Sequence, residues 1–203
     1  MNQELSADAF RGPWLQTLTG RKLFLLDPRP EDISLDDIAG HLAKVPRFAG
    51  ATTHYYSVAQ HCVLVAGCIP FGHPARPYAL LHDAHKAYIG DIPTPVKAAL
   101  RCLSRDGIDW FSILAGQLDA AIHARFDLPW PGSPEIAAAV AHADAVMLAT
   151  ERRDLLAAEM EWDYPLPPPR PDHIKICGDW RLSCDWFMEE AVRLGLLPSG
   201  DEA

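Results

Sequence analysis

The sequence predicts an all-α protein with at most a small β-hairpin or arm at its N-terminus. Apolar side chains recur at helical spacing over residues 58–69, which places them on one helix face. Ser57 precedes that stretch, with Gln60 three residues later, a pattern typical of a capping box at a helix start. The Ser133-Pro134 pair is a second helix-start signal, because proline suits the first helical position. These observations together favour a helical bundle.

The predicted elements follow the chain in a regular order. The Thr19-Gly20 turn separates two short apolar-containing runs, which indicates a hairpin or extended arm. The predicted helices cover residues 34–43, 57–68, 78–89, a segment capped by Thr94, then 108–126, 134–161 and 180–196.

The length of 203 residues fits one domain with a sizeable core. We expect a single domain over residues 1–203. Its predicted parts are an N-terminal arm (1–33), a helical core (34–161), and a Pro-rich crossing with a final helix (162–203).

Composition excludes several classes of function. The net charge of −9 argues against general nucleic-acid binding, although one cleft could still take a small anion. No apolar run is long enough for a membrane span, and Met1–Phe10 lacks the apolar stretch of a signal peptide. We therefore expect a cytoplasmic protein. The five cysteines form no C-x-x-C pair, so reduced and mostly buried thiols are expected.

Four residues are candidate metal ligands. His82 and Asp83 are adjacent, His61 lies upstream in an amphipathic helix, and Asp144 interrupts an Ala-rich stretch. Imidazole and carboxylate groups together suit a divalent metal, and an Asp within an apolar helix is costly without a partner. Solvated residues or a carboxylate bonded to the backbone would also explain the pattern. The residues alone leave both interpretations open.

The order His, His-Asp, Asp resembles the HD superfamily of metal-dependent phosphohydrolases. The stretch from His82 to Lys97, with HDA followed by GD, a proline pair and a lysine, resembles the bacterial 5′-deoxynucleotidase branch and its phage-encoded relatives. The resemblance covers residues 45–151. It implies an HD-domain helical bundle in the helical core, binding one divalent ion (Mn, Co, Zn, Fe or Mg). The implied ligands are His61, His82, Asp83 and Asp144.

One position departs from the family pattern. The family usually has an acidic residue three places after the Asp of HD, and this chain has Lys86. An ordinary ammonium group cannot accept a proton from water. Three interpretations of Lys86 follow. Lys86 could bind the substrate phosphate while Asp91 transfers the proton, or it could be a substitution that cripples the enzyme. In the third, the protein binds a nucleotide without hydrolysing it. The resemblance favours Asp91 as general acid or base, although Asp91 could instead cap a turn.

The remaining candidates concern the substrate. Arg47-Phe48 occupies the place where the family has an Arg and an aromatic residue, so Arg47 would clamp phosphate and Phe48 would stack on base or ribose. Lys97 is a further candidate for a phosphate contact, weaker than Arg47. A surface charge at Arg47 and a core role for Phe48 are the alternatives.

The resemblance implies hydrolysis of a nucleotide phosphate ester, as a 5′-nucleotidase or a dNTP triphosphohydrolase. The alternative is a weak or inactive nucleotide-binding regulatory protein on the same fold. A homodimer is an expectation from the resemblance.

Overall fold

The computed structural model describes residues 11–157 and 160–197. Three parts of the sequence-based predictions lie outside these residues. They are the segment 1–10, for which we predict no signal peptide, residues 158–159 of the predicted helix 134–161, and residues 198–203 of the predicted domain.

The N-terminal arm is a small antiparallel hairpin. Strand β1 (Trp14–Gln16) pairs with β2 (Lys22–Phe24). Asp37, on helix α1 (Leu35–Leu42), accepts a hydrogen bond of 2.7 Å from the backbone N–H of Thr19 in the turn. The buried carboxylate therefore anchors the hairpin to the helices.

The rest of the described chain is mostly helical, which confirms the predicted all-α class with a small β-hairpin. The further helices are α2 (Val58–Gly67), α3 (Ala75–Leu81), α4 (Lys86–Ile89), α5 (Thr94–Leu103), α6 (Trp110–Arg125), α7 (Pro134–Leu155) and α8 (Trp180–Arg193). None of the helices in the described part has the length and apolar character needed to cross a bilayer.

Helix α2 lies at the centre of the core. It packs against α3, α7 and α8, and its apolar side chains Val58, Cys62 and Val65 are fully buried. Ser57 caps it by accepting a hydrogen bond of 3.2 Å from Gln60 N–H. The prediction of a complete capping box is wrong. The Gln60 side chain, which would bond back to the Ser57 backbone in such a box, bonds instead to the backbone of residues 175 and 177.

The prediction of one continuous helix over residues 78–89 is wrong. Helix α3 ends at Leu81, and a tight turn over residues 82–85 precedes α4. Hydrogen bonds between residues three apart form this turn, for example Lys86 N–H to Asp83 C=O at 3.0 Å. The periodicity of apolar residues in the sequence describes local structure only and gives no sign of this break. The break lies where Asp83 makes its tertiary contacts.

Three smaller expectations also need correction. Thr94 is the first residue of α5 and Pro93 is its N-cap, whereas the sequence suggested Thr94 as the cap. Helix α7 ends at Leu155, short of the predicted residue 161. The five cysteines are free thiols as expected, but only Cys62 is buried.

Candidate metal centre and adjoining cleft

Three of the four predicted ligands converge on one point. His61 is on α2, His82 follows α3 directly, and Asp144 is on α7. The Nε2 atom of His61 lies 3.3 Å from His82 Nε2 and 3.2 Å from Asp144 Oδ1, and His82 Nε2 lies 3.9 Å from the same oxygen. Ligands about 2.1 Å from one ion lie about 3.4 Å apart at tetrahedral angles. The group has the spacing and chemistry to hold a metal ion.

Asp83 lies beside this group and is shared with two cations. Its Oδ2 atom is 3.6 Å from His61 Nε2 and 3.4 Å from His82 Nε2. The same oxygen accepts hydrogen bonds from Lys86 Nζ at 2.7 Å and from Arg47 Nη1 at 3.5 Å. Although burial opposes ionisation, His82 and Lys86 hold the pKa of Asp83 well below its ordinary value. The fourth predicted ligand is therefore an ionised carboxylate at the edge of the group.

Both histidines are oriented through their other ring nitrogen. His61 Nδ1 lies 2.5 Å from Glu151 Oε1, and His82 Nδ1 lies 2.8 Å from the carbonyl oxygen of Ala79. A ring that donates from Nδ1 directs the lone pair of Nε2 toward a metal. Burial lowers the pKa of His82, which favours the neutral imidazole that metal binding requires. The tautomers implied by these contacts fit a metal centre.

Glu151 is a functional candidate that the sequence reasoning missed. Its side chain is fully buried, and it accepts hydrogen bonds of 2.8 Å from Arg47 Nη2 and from the Tyr56 hydroxyl. Burial opposes its ionisation, but His61 and Arg47 lower the pKa of Glu151 to about 2. Glu151 follows Asp144 by seven residues, two turns of α7 on the same face, and that spacing is the signal that could have identified it.

The formal charges at this centre are unbalanced without a divalent cation. Four carboxylates meet two cations, leaving two negative charges when both imidazoles are neutral. The carboxylates belong to Asp83, Asp91, Asp144 and Glu151, and the cations to Arg47 and Lys86. The side chains of Asp83, Asp91 and Glu151 are buried, and that of Asp144 is 42% exposed. Uncompensated buried charge of one sign is costly, and a divalent ion would compensate it.

We predict that Glu151→Gln lowers divalent-metal affinity about 10- to 100-fold, the usual effect of removing a carboxylate that orients a metal-binding histidine. The substitution keeps the side-chain shape but removes the charge that holds His61. Metal titration followed by calorimetry measures the effect. Glu135→Gln, an exposed change on the same helix, is the matched control. Equal affinities of the two variants would contradict this role.

Lys86 joins the metal group to Asp91. Its Nζ atom lies 2.6 Å from Asp91 Oδ1 as well as 2.7 Å from Asp83 Oδ2. Gly90 has a φ of +77°, a left-handed conformation that lets the chain reverse after α4 and bring Asp91 back to Lys86. Burial would lower the pKa of Lys86, but Asp83 and Asp91 raise it above the ordinary value. The ammonium therefore stays charged and cannot serve as a base.

The predicted catalytic and substrate residues line one cleft of about 490 Å³. Arg47, Lys86 and Asp91 form the part connected to the metal group by ion pairs. Phe48 and Lys97 line the same cleft. The structure thus brings all five of these candidates together.

Arg47 is buried, so the surface alternative for this residue is wrong. Its guanidinium group bonds to Glu151 and Asp83, and these contacts neutralise carboxylates. Phe48 and the following Ala49 both have left-handed φ values, 54° and 51°. Non-glycine residues rarely adopt this conformation, which concentrates at ligand-binding sites. The conformation holds Phe48 in the cleft wall.

Comparison with known proteins gives relatives without an assigned activity. No protein-family model matches the chain. The chain is 38% identical to the uncharacterized protein YfdR of Escherichia coli strain K12 over 142 residues, 70% of this chain and 72% of that protein. It is 39% identical to the uncharacterized protein RCAP_rcc00048 of Rhodobacter capsulatus over 166 residues, 78% of this chain and 81% of that protein. The chain therefore belongs to the family that contains these two uncharacterized proteins.

Proposed function

We propose that this protein hydrolyses a phosphate ester of a nucleotide with the help of one divalent metal ion. The observation that carries the proposal is the convergence of His61, His82 and Asp144 next to a cleft that contains ionisable groups. Asp83 completes the proposed ligand set. The substrate is a deoxynucleoside monophosphate or triphosphate, as the resemblance to HD phosphohydrolases implies.

The proposed roles follow from the positions of the side chains. His61, His82, Asp83 and Asp144 would hold a divalent cation, which would supply Lewis acidity at the phosphate and acidify water. Asp91 lines the cleft and transfers the proton between water and the leaving group. Lys86 holds Asp91 and Asp83 in place through its two short ion pairs. Arg47 neutralises Glu151, which orients His61.

A second candidate function is nucleotide binding without efficient hydrolysis. Lys86 supports it, because a charged ammonium stands where the phosphohydrolases that the chain resembles have an acidic residue. The same ammonium is paired with Asp91, and the pairing restricts Asp91 as a proton acceptor. The protein would then act as a sensor of nucleotides rather than as a hydrolase.

A panel of nucleotides separates the two functions. The purified protein is incubated with deoxynucleoside monophosphates and triphosphates in the presence of Mn²⁺, Co²⁺ or Mg²⁺, with a metal-free sample as control. Release of phosphate or triphosphate that depends on the metal supports hydrolysis. Binding by calorimetry without product supports the sensor, and neither binding nor release would overturn both proposals.

We predict that Asp91→Asn lowers kcat about 10²- to 10⁴-fold on the best substrate, because general acid–base catalysis contributes a factor of that size. Metal content should stay the same, since Asp91 contacts Lys86 and not the three convergent donors. Steady-state kinetics and elemental analysis measure the two quantities. Asp185→Asn, at an exposed position on α8, is the control. Unchanged kcat would remove Asp91 from the chemistry.

A further inference from the structure

The cleft next to the metal group has an aromatic portion built by the segment that follows α7. Trp162 and Tyr164 line it, with ring centroids 5.7 Å apart and planes tilted by 45°. Neither residue belongs to the motifs that resemble the HD superfamily. The aromatic rings therefore need an explanation beyond the proposed metal chemistry.

Trp162 is held in place, whereas Tyr164, two residues later, is exposed. The guanidinium group of Arg152 lies 5.2 Å from the Trp162 ring centroid and donates a hydrogen bond to the backbone carbonyl of Met160. Tyr164 keeps 48% of its surface exposed. Pro165 and the prolines that follow it have restricted φ angles, which limits the freedom of this segment before a ligand arrives. These contacts hold Trp162 in the cleft wall.

Charge distinguishes the two portions of the cleft. Glu161 and Asp163 flank Trp162 in sequence and line the cleft with it, so an anionic group is disfavoured there. Arg47 and Lys86 lie in the portion connected to the metal group, where carboxylates offset their charges and a bound divalent ion would supply the attraction for a phosphate. A ligand with a phosphate and a planar neutral ring is therefore oriented with its phosphate toward the metal group.

We propose that Trp162 forms a stacking subsite for the base of a nucleotide, an inference that rests on the proposed function. The cleft volume of about 490 Å³ lies within the range of about 300–1,000 Å³ for small-molecule sites. Stacking on an aromatic ring accepts every base, because each base has a π-face. The subsite thus raises affinity for nucleotides over phosphates without a ring, with little selection among bases.

The test uses two non-hydrolysable ligands and the metal-loaded full chain. One is the 5′-phosphonate analogue of a deoxynucleoside monophosphate, and the other is its counterpart without the base. We expect Trp162→Ala to weaken binding of the first by about 5- to 150-fold, the range for loss of a stacked ring, and to leave the second unchanged. Trp162→Phe should retain most of the affinity, because the ring remains.

Controls separate the subsite from the proposed function. Trp110→Ala changes an exposed tryptophan at the start of α6 that does not line the cleft, and it should alter neither affinity. If Trp162→Ala weakens the binding of both ligands equally, or of neither, the subsite is overturned. Binding of the ligands by the wild-type protein would in that case still support the proposed function. A wild-type protein that binds neither ligand would refute the proposed function and the subsite with it.

Discussion

Asp83→Ala should remove stoichiometric divalent metal and destabilise the protein strongly. The carboxylate is 3.4 Å from His82 Nε2 and 3.6 Å from His61 Nε2, so its loss removes one of the four proposed ligands. It also leaves Lys86 and Arg47 buried with one partner fewer each. Breaking a buried ion pair by removing one partner costs about 3–5 kcal/mol. Elemental analysis and urea unfolding measure the two effects.

His61→Ala should give the same loss of metal, since His61 is the residue closest to both other convergent donors. His142→Ala is the matched control, because His142 is exposed on α7 two residues before Asp144. Normal metal content in the Asp83→Ala protein would show that His61, His82 and Asp144 suffice. Asp83 would then be a charge partner of Lys86 rather than a ligand.

Lys86→Glu should lower both the stability and the turnover of the protein. The new carboxylate would face Asp83 and Asp91, the two groups that the ammonium now joins at 2.7 and 2.6 Å. Like charges in a buried cluster repel, and the two ion pairs are lost. We expect the free energy of unfolding to fall by about 3 kcal/mol or more in metal-free buffer. Added divalent metal should offset part of the loss, because it binds the folded state.

A charge exchange tests this explanation directly. Combining Lys86→Glu with Asp91→Lys restores the ion pair between positions 86 and 91 but not the one with Asp83, so the double variant should recover part of the stability that Lys86→Glu alone loses. Lys175→Glu, an exposed change of the same type, is the control. A stable Lys86→Glu protein with kcat raised about 10²- to 10⁴-fold would contradict the expectation. Lys86 would then stand where an acidic residue would speed the reaction.

The amino-acid sequence by itself determined the helical class and the identity of the candidate ligands. Periodic apolar residues and Ser caps are local signals, and helices α1, α2, α6, α7 and α8 begin close to the predicted residues. Asp144 stood out as a carboxylate within an Ala-rich stretch, but its side chain is 42% exposed, so burial alone does not require a partner for it. His61, His82 and Asp83 were selected with it through the family resemblance, which also consists of short local motifs.

Only the tertiary structure decided how these side chains are connected. The contacts of Glu151 with His61 and with Arg47 depend on where separate segments meet. The turn at residues 82–85 and the pairing of Lys86 with Asp91 lie within one short stretch, but the helical period gives no sign of either. Trp162 reaches the cleft because the segment after α7 passes beside it. Periodicity describes which face of one helix is buried, but not which charges lie across that face. Electrostatic partners far apart in sequence are set by packing.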